Sequence, residues 1–155
     1  GNTDAEGRLI LADAMALGDE EEPELMVDMA TLTGAARVAL GPELPPFYTH
    51  DDDIASALAA HAMDQADPVW RMPLWPPYDK WINGKVGDIS NAPEKPMAGS
   101  ITAALFLSRF VEKAHSHIHF DVYAWTPQSR PHAPRGGASQ AIRALYSLIG
   151  ARYGA

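Results

Sequence analysis

A chain of 155 residues, 46% hydrophobic and 21% charged, carries enough apolar side chains for a single core and is neither low-complexity nor collagen-like. Twelve Lys and Arg against 20 Asp and Glu leave a formal charge of −8, which argues against a nucleic-acid groove or an anionic membrane surface as partner and suits cations. The absence of cysteine excludes disulfides, thiolate nucleophiles and Cys-type zinc sites, and is compatible with a reducing compartment.

The chain opens without Met on a polar cluster, Asn2 to Arg8. Residues 8–17 read as a helix, apolar on most faces and therefore buried, with Gly18 as its stop. Its apolar stretch is broken by Asp13, lacks a basic leader, and falls short of the ~20 residues of a membrane span. The acidic tract Asp19 to Glu24 reads as a solvated loop, residues 25–30 as a buried strand, and the segment after Thr33-Gly34 as a short helix ending near Gly41. Three prolines make 42–48 a loop, and Asp51 to Asp53 favour the N-terminus of a helix over 54–66. Residues 67–98 read as irregular, with at most one short helix. Ser100 is placed as the cap of a helix over 101–113, residues 117–124 alternate as a strand, and Ser139 introduces a last helix. Strands alternating with helices define an α/β chain with partly parallel pairing.

Asp4 and Glu6 are the first candidates for chemistry. On a strand end they share a face, about 7 Å apart along the chain, and converging carboxylates hold divalent cations through oxygen. Gly7 permits a sharp turn after them, and Arg8 places a guanidinium at the start of the next helix. A solvated or capping pair is the plain alternative.

The whole string NTDAEGRL, residues 2–9, resembles the signature octapeptide of the leucyl aminopeptidase family of two-metal exopeptidases. LADAM follows at 11–15, DMATLTGA at 28–35, VALG at 38–41, WRMPL at 70–74, AGSITAALFLSRFV at 98–111 and HFDVYAW at 119–125, all in the order of the family. The resemblance implies a metal-dependent aminopeptidase that releases leucine-like N-terminal residues from peptides. It implies a partial α/β/α sandwich around a mixed sheet, two divalent ions (zinc or manganese), a possible bound bicarbonate, and a cytoplasmic homo-oligomer, a hexamer in the parent. Carried over residue by residue, Asp4 and Glu6 are metal ligands and Arg8 stabilises the reacting carbonyl, directly or through bicarbonate. Asn2, Thr31, Leu32 and Gly34 contact substrate. The family's Lys ligand, its two further Asp ligands and its catalytic Lys come from segments upstream of the octapeptide. Lys80, Lys85, Lys95 and Lys113 stand in other contexts. Residues 1–155 therefore correspond to the C-terminal portion of a catalytic domain, a single domain truncated on its N-terminal side and holding part of the site.

His115, His117 and His119 alternate onto one strand face with Asp121 and Tyr123; an H-x-H pair on a strand can bind zinc, but such a pair is a weak motif and neither His is a metal ligand in the family, so the structural reading is favoured. Tyr123 and Trp125 follow Asp121 where the family shapes its side-chain pocket, so they either narrow that pocket or pack the core. Asp51 to Asp53 lack the spacing of a calcium loop, and Gly136-Gly137 lack a phosphate-binding pattern. Arg130 and Arg135 read as solvated or as a subunit contact, and the four tryptophans as core or interface anchors. Two other classes stay open: a non-catalytic metal-binding or assembly module, and a glycoside hydrolase using Asp4 and Glu6. The first predicts no turnover even with the upstream half supplied, and the second predicts turnover without metal.

Overall fold

The structure, a computed structural model, describes residues 6–83 and 97–154, with the Glu6 side chain outside the description. Asn2, Asp4, Lys85 and Lys95 lie outside the described residues. Helix α1 (Glu6–Asp19) leads into β1 (Met26–Ala30) and α2 (Gly34–Leu40). Then come β2 (Pro46–Tyr48), α3 (Asp52–Asp64), β3 (Trp70–Arg71), a 3₁₀ helix (Pro76–Trp81) and α4 (Gly99–Ser108). Strand β4 (His117–Asp121), the short pair β5 (Trp125–Thr126) and β6 (Gly136–Gly137), and α5 (Ile142–Tyr153) complete the chain.

The main sheet has the order β1-β4-β2-β3 and is mixed. β1 runs parallel to β4 from Met26 beside His117 to Ala30 beside Asp121, and β2 is antiparallel to β4 and parallel to β3. Strand alternation gives the sheet two chemically different faces. Ile118 and Phe120 of β4 and Phe47 of β2 point into an apolar core with Ile54 and Leu58 of α3 and Leu148 of α5. His117, His119 and Asp121 point the other way, toward the layer of α1 and α4, whose own core gathers Ala12, Met15, Leu105 and Leu107. This is the partial α/β/α sandwich around a mixed sheet.

Several local expectations are corrected. α1 buries only the stripe Arg8, Ala12, Met15 and Asp19, while Leu9, Ile10 and Leu17 are exposed, so one face and not most of the helix is covered among the described residues. Asp19 is not part of a solvated loop. Its carboxylate accepts the backbone N–H groups of Glu112, Lys113 and Ala114 and ties α1 to the segment after α4. The loop read at 42–48 contains β2, because Pro46 needs no ladder donor at a strand start and Phe47 and Tyr48 are buried. Asp51 is the N-cap of α3 through Ile54 N, so that helix starts and ends two residues earlier than expected. α4 begins at Gly99 and ends at Ser108. Ser100 is buried within its first turn, with Ala98 as N-cap in a left-handed conformation. Gly99 is needed for close approach, since a Cβ there would stand 3.3 Å from the Ala35 Cβ of α2. β4 stops at Asp121, and Ser139 does not cap α5. Asp67 does so from the far side of the chain, accepting from Arg143 N and Ala144 N. Among the described residues no helix is long and apolar enough to cross a membrane.

Candidate active site

The register that puts Ala30 beside Asp121 brings the C-terminal ends of two parallel strands together, and the TLTG segment leaves the sheet at that point. Asp121, 1% exposed, organises it. Its Oδ1 accepts from Leu32 N at 3.1 Å and Thr33 N at 3.0 Å, and its Oδ2 accepts from the Thr33 hydroxyl and from Ser100 Oγ at 2.9 Å. Because the Ser100 hydroxyl gives its one proton to Asp121, the Tyr48 hydroxyl, 2.6 Å away, donates to Ser100. Burial pushes the Tyr48 phenol far above its ordinary value, so it stays a donor. Thr33 is also the N-cap of α2, its Oγ1 accepting from Ala36 N at 3.3 Å. A carboxylate that holds four donors is occupied as an anchor and is not free to act as a base.

The anchored turn walls an open cleft of about 890 Å³. Thr31, Leu32 and Gly34 line it from the strand ends, Gly7 and Leu11 line it from α1, and Tyr123 closes the side beyond β4. Three of the expected substrate-contacting residues are thus brought together. Arg8 is buried at 6% exposure beside Gly7 in the first turn of α1. Asn2 and Asp4 lie outside the described residues, and of Glu6 only the backbone, at the start of α1, is described. Tyr123 belongs to the cleft, whereas Trp125 lies in a separate hollow with Arg130 and His132. Arg130 pairs with Glu43 instead of standing free in solvent.

The histidines are structural. His115 is exposed and only its backbone is engaged, its N–H donating to Pro23 O. His117 Nε2 lies 2.7 Å from Asp28 Oδ2, and His119 Nδ1 lies 2.6 Å from Asp28 Oδ1, so one carboxylate of β1 holds both rings of β4. Tyr48 stacks on His119 at 5.8 Å between centroids. Burial pushes the Asp28 carboxyl up, but the hydrogen bonds from His117 and His119 outweigh it and hold the group below its ordinary value. Among the described residues no group of three or more His, Asp or Glu is arranged to hold a metal ion. Asp28, Tyr48 and the anchoring roles of Ser100 and Asp121 are not singled out by the sequence. The one signal is a charge, Asp28, inside the apolar run 25–30.

The cleft lies at the carboxyl ends of parallel strands, walled by a backbone turn pinned to a buried carboxylate, which is where open α/β sheets place their ligand sites. A model of the cytosol aminopeptidase family, catalytic domain, matches residues 1–146, and the chain belongs to that family. It is 42% identical over 150 residues to a probable cytosol aminopeptidase of Synechococcus sp. (strain CC9311), covering 96% of this chain and 30% of that protein. It is 49% identical over 121 residues to the cytosol aminopeptidase of Encephalitozoon cuniculi, covering 78% of this chain and 25% of the relative. The crystal structure of cytosol aminopeptidase from Coxiella burnetii superposes with a TM-score of 0.93 at 45% identity, over 98% of this chain and 33% of that one. The chain thus spans about a third or less of the length of these relatives.

Proposed function

We propose that this chain is the C-terminal portion of a metal-dependent aminopeptidase catalytic domain that releases leucine-like N-terminal residues from peptides. The observation that carries the reading is the cleft. It is walled by the Thr31–Gly34 turn on one side and by the first turn of α1, where the octapeptide enters the helix, on the other. The donor chemistry fits the implied ions in kind: Asp4 and Glu6 offer hard carboxylate oxygens, and both Zn²⁺ and Mn²⁺ accept them. These two residues would hold the ions. The pair is short of the ligand number such ions need, so its affinity alone should be weak.

Two divalent ions, when held, supply Lewis acidity to a free α-amine and the scissile carbonyl and lower the pKa of a water. The chain's own residues do the rest. The backbone of Thr31, Leu32 and Gly34 offers donors and acceptors to the substrate's extended backbone, and the Asp121 anchor keeps them in place before substrate arrives. Arg8, a guanidinium beside the cleft wall, supports the developing negative charge at the carbonyl oxygen or a bicarbonate there. Asn2 contacts substrate upstream of the acidic pair. The substrates are peptides with a free N-terminus, and the assembly is a cytoplasmic homo-oligomer, hexameric in the parent.

The test is a chimera in which residues 1–155 replace the matching third of the Coxiella burnetii protein, assayed on leucine arylamide with added manganese or zinc. Turnover that is abolished by chelator and absent on the N-acetylated substrate is expected. A folded, metal-loaded chimera that turns over neither substrate contradicts the reading and favours a non-catalytic module.

A further inference from the structure

One charged side chain of the cleft is not used by the reading above. Arg37 stands on the last turn of α2, exposed, and its guanidinium carbon lies 4.9 Å from the centroid of the Tyr123 ring. Both residues line the cleft with Thr31 and Gly34. Much of the remaining wall is apolar, Ile10, Leu11 and Val122 among it. The other charged wall residue among those described, Asp121, is 1% exposed and already accepts four hydrogen bonds. Among the described residues Arg37 enters no ion pair and no side-chain hydrogen bond, so its N–H groups face the cleft without a protein acceptor. It is a positive group in a chain of net charge −8.

Seating on an aromatic face orients a guanidinium while leaving its in-plane N–H edge open, the geometry that grips a carboxylate with two parallel hydrogen bonds. We propose that Arg37, seated on Tyr123, is a substrate-carboxylate receptor, and that the cleft favours short peptides presenting a carboxylate close to the N-terminus. Two sources share that chemistry: an acidic first side chain, and the free C-terminus of a dipeptide. The proposal rests on the aminopeptidase reading for its premise that the cleft takes peptides. It makes Arg37 and Tyr123 specificity-determining residues, and the apolar preference of a leucine-type pocket is then supplemented by an ionic one.

The experiment is an NMR titration of the 155-residue chain in metal-free buffer, following the Arg37 Nε–H and the Tyr123 ring. The probes are leucyl-alanine amide, leucyl-alanine and glutamyl-alanine amide. At least one carboxylate-bearing probe is expected to bind about tenfold more tightly than leucyl-alanine amide, a gap that shrinks as salt rises. A gap for leucyl-alanine identifies the C-terminal carboxylate, and one for glutamyl-alanine amide the side chain. Arg37→Ala removes the gap and Arg37→Lys keeps part of it. Equal affinity for the three probes, no binding of any, or a gap that survives Arg37→Ala overturns the proposal. No turnover is read, so a silent chimera and a missing carboxylate preference remain separate failures.

Discussion

Asp28 holds two imidazoles with one carboxylate, and its titration sets a direction for stability against pH. Its folded value lies below the ordinary carboxylate value because the His117 and His119 hydrogen bonds outweigh burial. A depressed folded value contributes stability that is present above the unfolded value, about 3.9, and lost as pH falls through the folded one. Asp28→Asn removes that contribution and offers one acceptor oxygen where the carboxylate offered two, so one of the two rings loses its partner. The variant should lose about 1–3 kcal/mol at neutral pH and show a shallower loss of stability below about pH 4. Denaturant unfolding across a pH series measures both, and parallel profiles for the two proteins would contradict the assignment. That His117 and His119 share a face was legible from their spacing of two. Their partner was not, because it lies 89 and 91 residues away and depends on the parallel register of β1 with β4. The same holds for Asp121, legible as part of the HFDVYAW segment but not as the anchor of Leu32 and Thr33.

Elements whose signals are local were legible: β1 between its polar flanks, α2 with Thr33 before it and Gly41 after it, and α3 behind the acidic run Asp51 to Asp53. Those that depend on a distant partner were not. β2 is three residues long and is defined by its pairing with Phe120 and His119 of β4 and with Trp70 and Arg71 of β3. α1 has apolar residues on several sides, yet its covered stripe is chosen by α4 and the sheet. α5 shows the point as a prediction. Ser139 has the local credentials of a cap, but the carboxylate of Asp67 reaches Arg143 N at 2.9 Å and Ala144 N at 3.3 Å, and also Ala141 N at 3.2 Å. Asp67→Ala should therefore cost about 1–2 kcal/mol, the upper part of the range for lost helix caps, and Ser139→Ala less than about 0.5 kcal/mol. Thermal unfolding of the two variants checks the order, and a reversal would return the cap to Ser139.

At the scale of the whole molecule, the sheet, its two helical layers and the cleft are positioned by about a third of the length of the family's proteins. The fold class and the family were legible because the octapeptide and the segments after it keep their order along the chain. β1 is an edge of the sheet among the described residues, and Asp4 and Glu6 are the residues proposed to hold the ions. On the proposed reading two carboxylates alone make a weak metal site, so catalysis is expected to depend on the complement supplied by the chimera. Glu6 is proposed to hold metal ions for peptide hydrolysis. The most direct measurement is the rate of leucine arylamide hydrolysis by the chimera across a manganese titration, with and without Glu6→Gln. Glu6→Gln is expected to lower the rate at least about a hundredfold, in keeping with loss of a metal's contribution to the transition state. A Glu6→Gln chimera with activity within about twofold of its parent, across the same titration, would contradict it.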